Sequence, residues 1–255
     1  MRPSFLSLPP RPDKPRTAGL THVLDKGLTP GATSALLDIV GEQVDVWKFG
    51  WGVAYVDPGL PRKIAYLREH EVASCLGGTL LEIAWSQGKA QECLGWAERT
   101  GFAMVEVSRG VVPMSLDDKR ELIKVAAESF VVLAETGIKD ERVNLPIEQW
   151  REEIAQDIAA GATWVITEGR ESGTVGIYDR SGRPQLDIIE AAVHAAGVGR
   201  VLFEAPRKDQ QAWLINRYGP DVNLANIPPE EVLPLTTLRL GLRADTAALA
   251  IGRRP

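Results

Sequence analysis

The feature that most constrains this chain is an alternation in which short β-branched or apolar runs recur, each followed by a segment of helical periodicity. Eight runs stand out, at 19–24, 44–49, 72–76, 102–107, 130–135, 163–167, 199–204 and 222–224. Their starts lie 25, 28, 30, 28, 33, 36 and 23 residues apart, and each interval is long enough for one crossover helix between parallel strands. Eight such units predict an α/β fold, a single-domain (β/α)8 TIM barrel, with its active site at the carboxyl ends of the strands. A doubly wound sheet would announce itself by Gly-x-Gly-x-x-Gly after the first strand. Here that strand runs into Asp25-Lys26-Gly27-Leu28, so no dinucleotide fingerprint exists. Residues 1–18, with Pro3, Pro9, Pro10, Pro12 and Pro15, read as a Pro-rich arm outside a barrel of 19–255.

Helix signals fall between the runs. Ser115 followed by Asp117 and Asp118 predicts a capped helix from 115 to about 129. Pro146 suits a first helical position, and Trp150, Ile154 and Ile158 then share one face until Gly161. From Gln185 the same logic aligns Ile188, Ile189, Ala192, Val193 and Ala196 before Gly197.

Charge narrows the function. Twenty-nine Lys and Arg against 34 Asp and Glu give a net charge of −5 with no basic block, which argues against a nucleic-acid partner. Cys75, Cys93 and three His (His22, His70, His194) provide no zinc spacing and fit a reducing compartment. The arm lacks the apolar core of a signal peptide, and the longest apolar stretches, such as 130–134, are too short to span a bilayer. A cytoplasmic protein with no membrane partner is expected.

In a barrel, polar residues at the ends of apolar strands converge on one mouth. The candidates are Asp25 and Lys26, Lys48, Glu106 and Ser108, Glu135, Glu168 with Arg170 and Glu171, Glu204, and Asn223 and Asn226. So many carboxylates in one volume need compensating cations, which Lys26, Lys48, Lys139, Arg170, Arg207 and Lys208 or a hard divalent ion such as Mg2+ would supply. Gly77 and Gly78 offer exposed amides for a phosphate, although glycines after a strand also serve as plain turns. His22 reads as a satisfied interior group, Trp47, Trp51 and Trp85 as packing, and Cys75 as inert core.

Seven segments carry a family resemblance: Leu24-Asp-Lys-Gly27, Trp47-Lys-Phe-Gly-Trp-Gly52, Gly77-Gly-Thr-Leu80 with Glu82, Glu168-Gly-Arg-Glu-Ser-Gly173, Phe203-Glu-Ala-Pro206 through Gln211, Val222-Asn-Leu-Ala-Asn-Ile227 and Leu238-Arg-Leu-Gly-Leu-Arg-Ala-Asp-Thr246. In order and spacing they resemble the phosphosulfolactate synthase family. The resemblance implies a Mg2+-dependent barrel lyase that adds sulfite to phosphoenolpyruvate, giving (2R)-phospho-3-sulfolactate at the start of coenzyme M biosynthesis, and it implies a homo-oligomer. It assigns Lys139 as proton donor, with Glu106 and Lys48 also catalytic. Glu135, Glu168 and Glu204 become the metal candidates. Asp25, Lys26, Gly77, Gly78, Ser108, Arg109, Arg170, Arg207, Lys208, Asn223 and Asn226 become the substrate-binding set.

One departure bears on the second substrate. Where relatives commonly carry Asp or Asn, this chain has Arg109 in Glu106-Val-Ser-Arg-Gly110, and a guanidinium at the mouth would clamp an anion in two-point fashion. The opposing expectation is that Arg109 points to solvent. Two alternatives therefore stand beside the synthase: a related barrel adding another nucleophile to an enol phosphate, and a non-catalytic stress-associated protein, a role known among plant relatives.

Overall fold

The computed structural model describes residues 5–137 and 146–251. Among them, eight parallel strands close in sequence order into a barrel. They are β1 (Thr21–Asp25), β2 (Val46–Phe49), β3 (Ala73–Leu76), β4 (Met104–Val107), β5 (Val131–Thr136), β6 (Trp164–Thr167), β7 (Val201–Glu204) and β8 (Asn223–Ile227). Every predicted run holds a strand, but several strands start two residues late. Residues such as Val44 and Phe102 are buried below the sheet and pack there without pairing. β8 extends three residues beyond expectation, because Asn226 has poor strand propensity and the run is completed by ladders to β7 and β1 that the local sequence does not announce.

The crossovers are α1 (Pro30–Val40), α2 (Val53–Val56), α3 (Leu60–Glu69), α4 (Gly78–Ser86), α5 (Ala90–Thr100), α6 (Leu116–Ala127), α7 (Ile147–Ala160), α8 (Leu186–Ala196), α9 (Lys208–Tyr218) and α10 (Val232–Arg239). Most predicted signals act as read, but Pro146 stands at the N-cap of α7 and not at its first helical position, with ψ 144°. The Ser115 hydroxyl accepts from Asp118 N at 3.0 Å to start α6, Trp150 and Ile154 bury one face of α7, and Gly161 and Gly197 end α7 and α8 with positive φ.

The pleat sorts the side chains. Val23, Trp47, Phe49, Val105, Val132, Val165, Phe203 and Leu224 point outward into the core under the helices. Leu20, Val46, Cys75, Leu133, Ile166, Leu202 and Ala225 form a separate cluster inside the barrel. Two residues further along four of these strands stand Lys48, Glu135, Glu168 and Glu204, and Glu106 follows Met104 in the same way. A period of two therefore lifts each charge one layer above an apolar plug.

The described part of the arm is tied to the opposite end. Arg11 donates to Thr21 Oγ1, Lys14 to the carbonyl of Gly41 at 2.8 Å, and Arg16 to Asp45 Oδ1 at 3.0 Å, just below β1 and β2.

Asp25 corrects an expectation. It lies at the end of β1 but on the outward phase, and its carboxylate is fully buried. Oδ1 accepts from Gly27 N and Leu28 N, while Oδ2 accepts from Lys63 Nζ at 2.8 Å and Trp47 Nε1 at 3.2 Å. Lys63 also pairs with Asp57 at 2.8 Å and sits over the Phe49 ring. Asp25 thus staples the rim and, contrary to expectation, does not line the cavity at the mouth. Removing Lys63 strands two carboxylates, so Lys63→Met should lose about 3–5 kcal/mol of stability in urea unfolding.

Candidate active site

Lys48, Glu106, Glu135, Glu168 and Glu204 rise from five strands into a cavity of about 340 Å3 at the carboxyl end of the barrel. All five side chains are nearly inaccessible. Lys48 Nζ lies 2.9 Å from Glu106 Oε2 and 3.6 Å from Glu204 Oε1. Burial opposes its charge, but Glu106, Glu204 and Glu135 outweigh that cost and raise its pKa, so Lys48 stays an ammonium. Glu106 behaves in the opposite way: burial, with Glu135 hydrogen-bonded beside it, pushes its carboxyl up to about 8 in spite of Lys48. At neutral pH Glu106 therefore keeps its proton, with Glu135 hydrogen-bonded beside it.

Glu204 also shapes the loop after β6. Its Oε2 accepts from Gly169 N at 2.8 Å and Arg170 N at 2.7 Å, and Glu168 Oε1 accepts from Arg170 N at 2.8 Å. These bonds hold Arg170 in the left-handed region at φ 57°. The loop is tight here, since a Cβ on Gly176 would run into the carbonyl of Glu168. Arg170 lines the cavity, and among the described residues no carboxylate forms an ion pair with its guanidinium.

Across the same cavity, Gly77, Gly78 and Thr79 present the start of α4, where no side chain caps the helix. Its first amides and the positive end of the helix dipole face the space, as an anion requires. Gly77 cannot carry a side chain, because a Cβ would lie 2.6 Å from Phe49 O. Asn226 closes the floor with φ 54°. Its backbone N–H donates to His22 Nδ1 at 3.3 Å, and its carboxamide oxygen is buried without a hydrogen-bond partner among the described residues. Burial, then Lys48, keep His22 neutral, with its proton on Nε2 because Nδ1 accepts.

The remaining predicted residues stand elsewhere. Ser108 donates to Glu82 Oε1, whose other oxygen accepts from Val111 N and Val112 N, so Ser108 fastens the loop after β4. Arg109 turns from the cavity and forks onto Glu153, at 3.2 Å from Nε and 2.8 Å from Nη2, so neither the anion clamp nor the solvent-facing orientation is realised. Asn223 lies at the far end of β8, where it accepts from Leu20 N and donates to Gly199 O. Lys208 pairs with Asp245 at 2.7 Å, Arg207 lies beside Asp209, and Lys26 is exposed beyond β1. None of these six lines the cavity. Lys139 lies outside the described residues.

Sequence reasoning missed Trp51, read as packing, which lines the mouth at φ 52° and 44 % exposure. It also missed the lining roles of Leu24, Thr79 and Val111, whereas Glu171, expected at the mouth, does line it. The Gly residues on both sides of Trp51 were the available signal for an irregular, mouth-forming turn.

Metal chemistry can be tested on the donors. Four carboxylates line the cavity against the one ammonium of Lys48 and supply only hard oxygen, so the donor set fits a divalent cation such as Mg2+. Among the described residues no three acidic, His or Cys side chains already converge as a metal cage. Glu204 is the weakest of the proposed ligands, since backbone amides and Lys48 already engage its oxygens.

An eight-stranded barrel with an acid-lined, cation-bearing mouth defines the class of (β/α)8 barrel enzymes. Solved barrels of that class superpose on the chain, among them 3-hexulose-6-phosphate synthase from Salmonella typhimurium (TM-score 0.56, 16% identity, 90% of this chain and 93% of that one) and an HpcH/HpaI aldolase from Desulfitobacterium hafniense (0.55, 16%, 93% and 96%), a likeness of fold alone. The family model of (2R)-phospho-3-sulfolactate synthase (ComA) matches residues 9–245. Proteins named phosphosulfolactate synthase are 41% identical in Methanothermobacter thermautotrophicus (93% of this chain, 95% of the relative), 39% in Bacillus subtilis (94%, 97%) and 42% in Methanocaldococcus jannaschii (89%, 93%). The chain belongs to the phosphosulfolactate synthase family of lyases.

The site makes its own pH prediction. Between the ordinary glutamate range near 4.5 and about 8, the folded protein holds a Glu106 proton that the unfolded chain releases. Stability must therefore fall as pH rises through that window. Glu106→Gln cannot ionise, so urea unfolding with a chelator present should show a flatter pH dependence from 5 to 8 than in the parent protein.

Proposed function

We propose that this barrel catalyses the Mg2+-dependent addition of sulfite to phosphoenolpyruvate in the cytoplasm, giving (2R)-phospho-3-sulfolactate. The observation that carries this reading is the pairing, across one cavity, of an uncapped helix start and Arg170, with which no carboxylate among the described residues forms an ion pair, with a ring of acids around Lys48. The first two suit the substrate's anionic groups. The ring suits the charge that moves during the reaction.

The sulfite sulfur forms a bond to the terminal methylene carbon, and the double-bond pair moves toward the substrate carboxylate. A proton then reaches the carbon that bears the phosphate ester, which remains attached. Lys48, held as an ammonium, works as a fixed positive charge for the growing negative charge and not as a base. The α4 amides at Gly78 and Thr79 and the Arg170 guanidinium bind and orient the phosphate and carboxylate oxygens. Glu204 positions Lys48 and the Arg170 loop. Glu135 and Glu168 would hold Mg2+, with water and substrate oxygens completing its shell. When bound, the ion withdraws charge from substrate oxygens as a Lewis acid. We assign the proton donor to Lys139 by family resemblance. Arg109 is spent on Glu153, so the anion clamp that would have argued for another nucleophile does not form.

Phosphorus NMR of the protein with phosphoenolpyruvate and sulfite should show a new phosphate-ester resonance that needs both sulfite and Mg2+. An unchanged spectrum from folded protein overturns the reading. Arg170→Gln should raise KM for phosphoenolpyruvate by roughly 10- to 100-fold, the loss of one or two charge-assisted contacts. Lys139→Ala should abolish the product resonance.

A further inference from the structure

We propose that Lys119, outside the barrel wall, is a positioning residue for Glu135, and that Asp157, Glu153 and Arg109 complete the device. The side chain of Lys119, on α6, is fully buried. Its Nζ donates to the backbone carbonyl of Glu135 at 2.8 Å, to Glu153 Oε1 at 2.8 Å and to Asp157 Oδ2 at 2.6 Å.

The carbonyl of Glu135 needs such a donor for a reason set by the sheet. Glu168 N donates to Thr136 O, so the Thr136 carbonyl faces β6. Alternation along the strand then turns the Glu135 carbonyl toward β4. β4 stops at Val107, opposite Ala134, and the chain leaves the sheet where Ser108 binds Glu82. No amide of β4 remains for Glu135, and the ammonium of Lys119 takes the place of the missing ladder bond. A buried carbonyl left without a donor would be costly, and a charged donor is the stronger kind.

The ammonium is itself fixed on three sides. Asp157 and Glu153 hold it from α7, and Arg109, from the segment that follows β4, closes the cluster through its fork on Glu153. Two cations balance two carboxylates, which lets all four groups remain buried or half-buried. Burial works against the Glu153 charge, and Lys119 and Arg109 more than offset it. The cluster joins α6, α7 and the β4 exit to one backbone atom of β5.

That atom belongs to the residue whose side chain meets Glu106 in the cavity, and Glu106 lies 2.9 Å from Lys48. A shift of the β5 end would pass directly to the acid pair and to the fixed ammonium. Lys119 touches no cavity atom and acts only through Glu135. The kinetic consequence rests on the reaction proposed above; the structural consequence does not.

The test uses Lys119→Met, with Lys119→Arg as the conservative rescue. Where Lys119→Met fails to fold, Lys119→Met combined with Asp157→Asn removes the stranded charge while Arg109 still neutralises Glu153. The proposal expects kcat to fall on the order of a hundredfold, as misplacement by about 1 Å can cause, with KM for phosphoenolpyruvate unchanged and kcat partly restored by Arg. Hydrogen exchange should quicken at the amide of Glu168, which reports the β5 end, and stay constant at Leu224, which bonds to Leu20 O on the far side. A folded variant with parental kcat, or one whose two amides quicken equally, overturns the proposal. If the parent protein makes no product, the proposed reaction fails, while the two amides still decide for or against positioning.

Discussion

Everything at the mouth of this barrel depends on Lys48. Four glutamates in one small, buried volume would repel each other and would be expensive to desolvate. Lys48, close to Glu106 and Glu204, removes much of that cost. The proton that burial keeps on Glu106 removes more. The carboxylates that remain charged beside Lys48 are hard oxygen donors of the kind a divalent cation takes.

The loops around this ring are held by charges on backbone atoms. Glu204 and Glu168 accept from Arg170 N, Glu82 accepts from Val111 N and Val112 N, and Asp25 accepts from Gly27 N and Leu28 N. In each case a carboxylate fixes a rim segment that contributes a lining residue or lies next to one. The rim is thus built from the same residue type as the inner layer: Glu168 and Glu204 serve both, Glu82 reaches the rim from α4, and the phase of the pleat sets Asp25 outside.

That phase explains how much was legible in the sequence. The eight βα units could be counted, because apolar runs at crossover spacing are local signals. Lys48, Glu106, Glu135, Glu168, Glu204, Arg170, Gly77, Gly78 and Asn226 were found as strand-end residues and do line the cavity. Asp25, Ser108 and Asn223 share that description and line no part of it. Asp25 points outward to Lys63, Ser108 belongs to Glu82, and Asn223 sits at the wrong end of β8. Proximity to a strand end is visible in a sequence; the face and the partner depend on contacts with residues 26 or more positions away. Arg109 makes the same point, since its partner Glu153 lies 44 residues on.

Two lysines, Lys63 and Lys119, repeat one arrangement on different sides of the wall: a fully buried ammonium between two carboxylates, just behind a strand end. Mobile ions cannot enter either cluster, so salt has little purchase on them, whereas the exposed pairs such as Arg151 with Glu148 or Lys124 with Glu121 weaken within a Debye length of about 8 Å at physiological strength. Rising ionic strength should therefore soften the outer helices while the frame of the mouth keeps its shape. The protein carries its own counterions where a saline medium could not replace them.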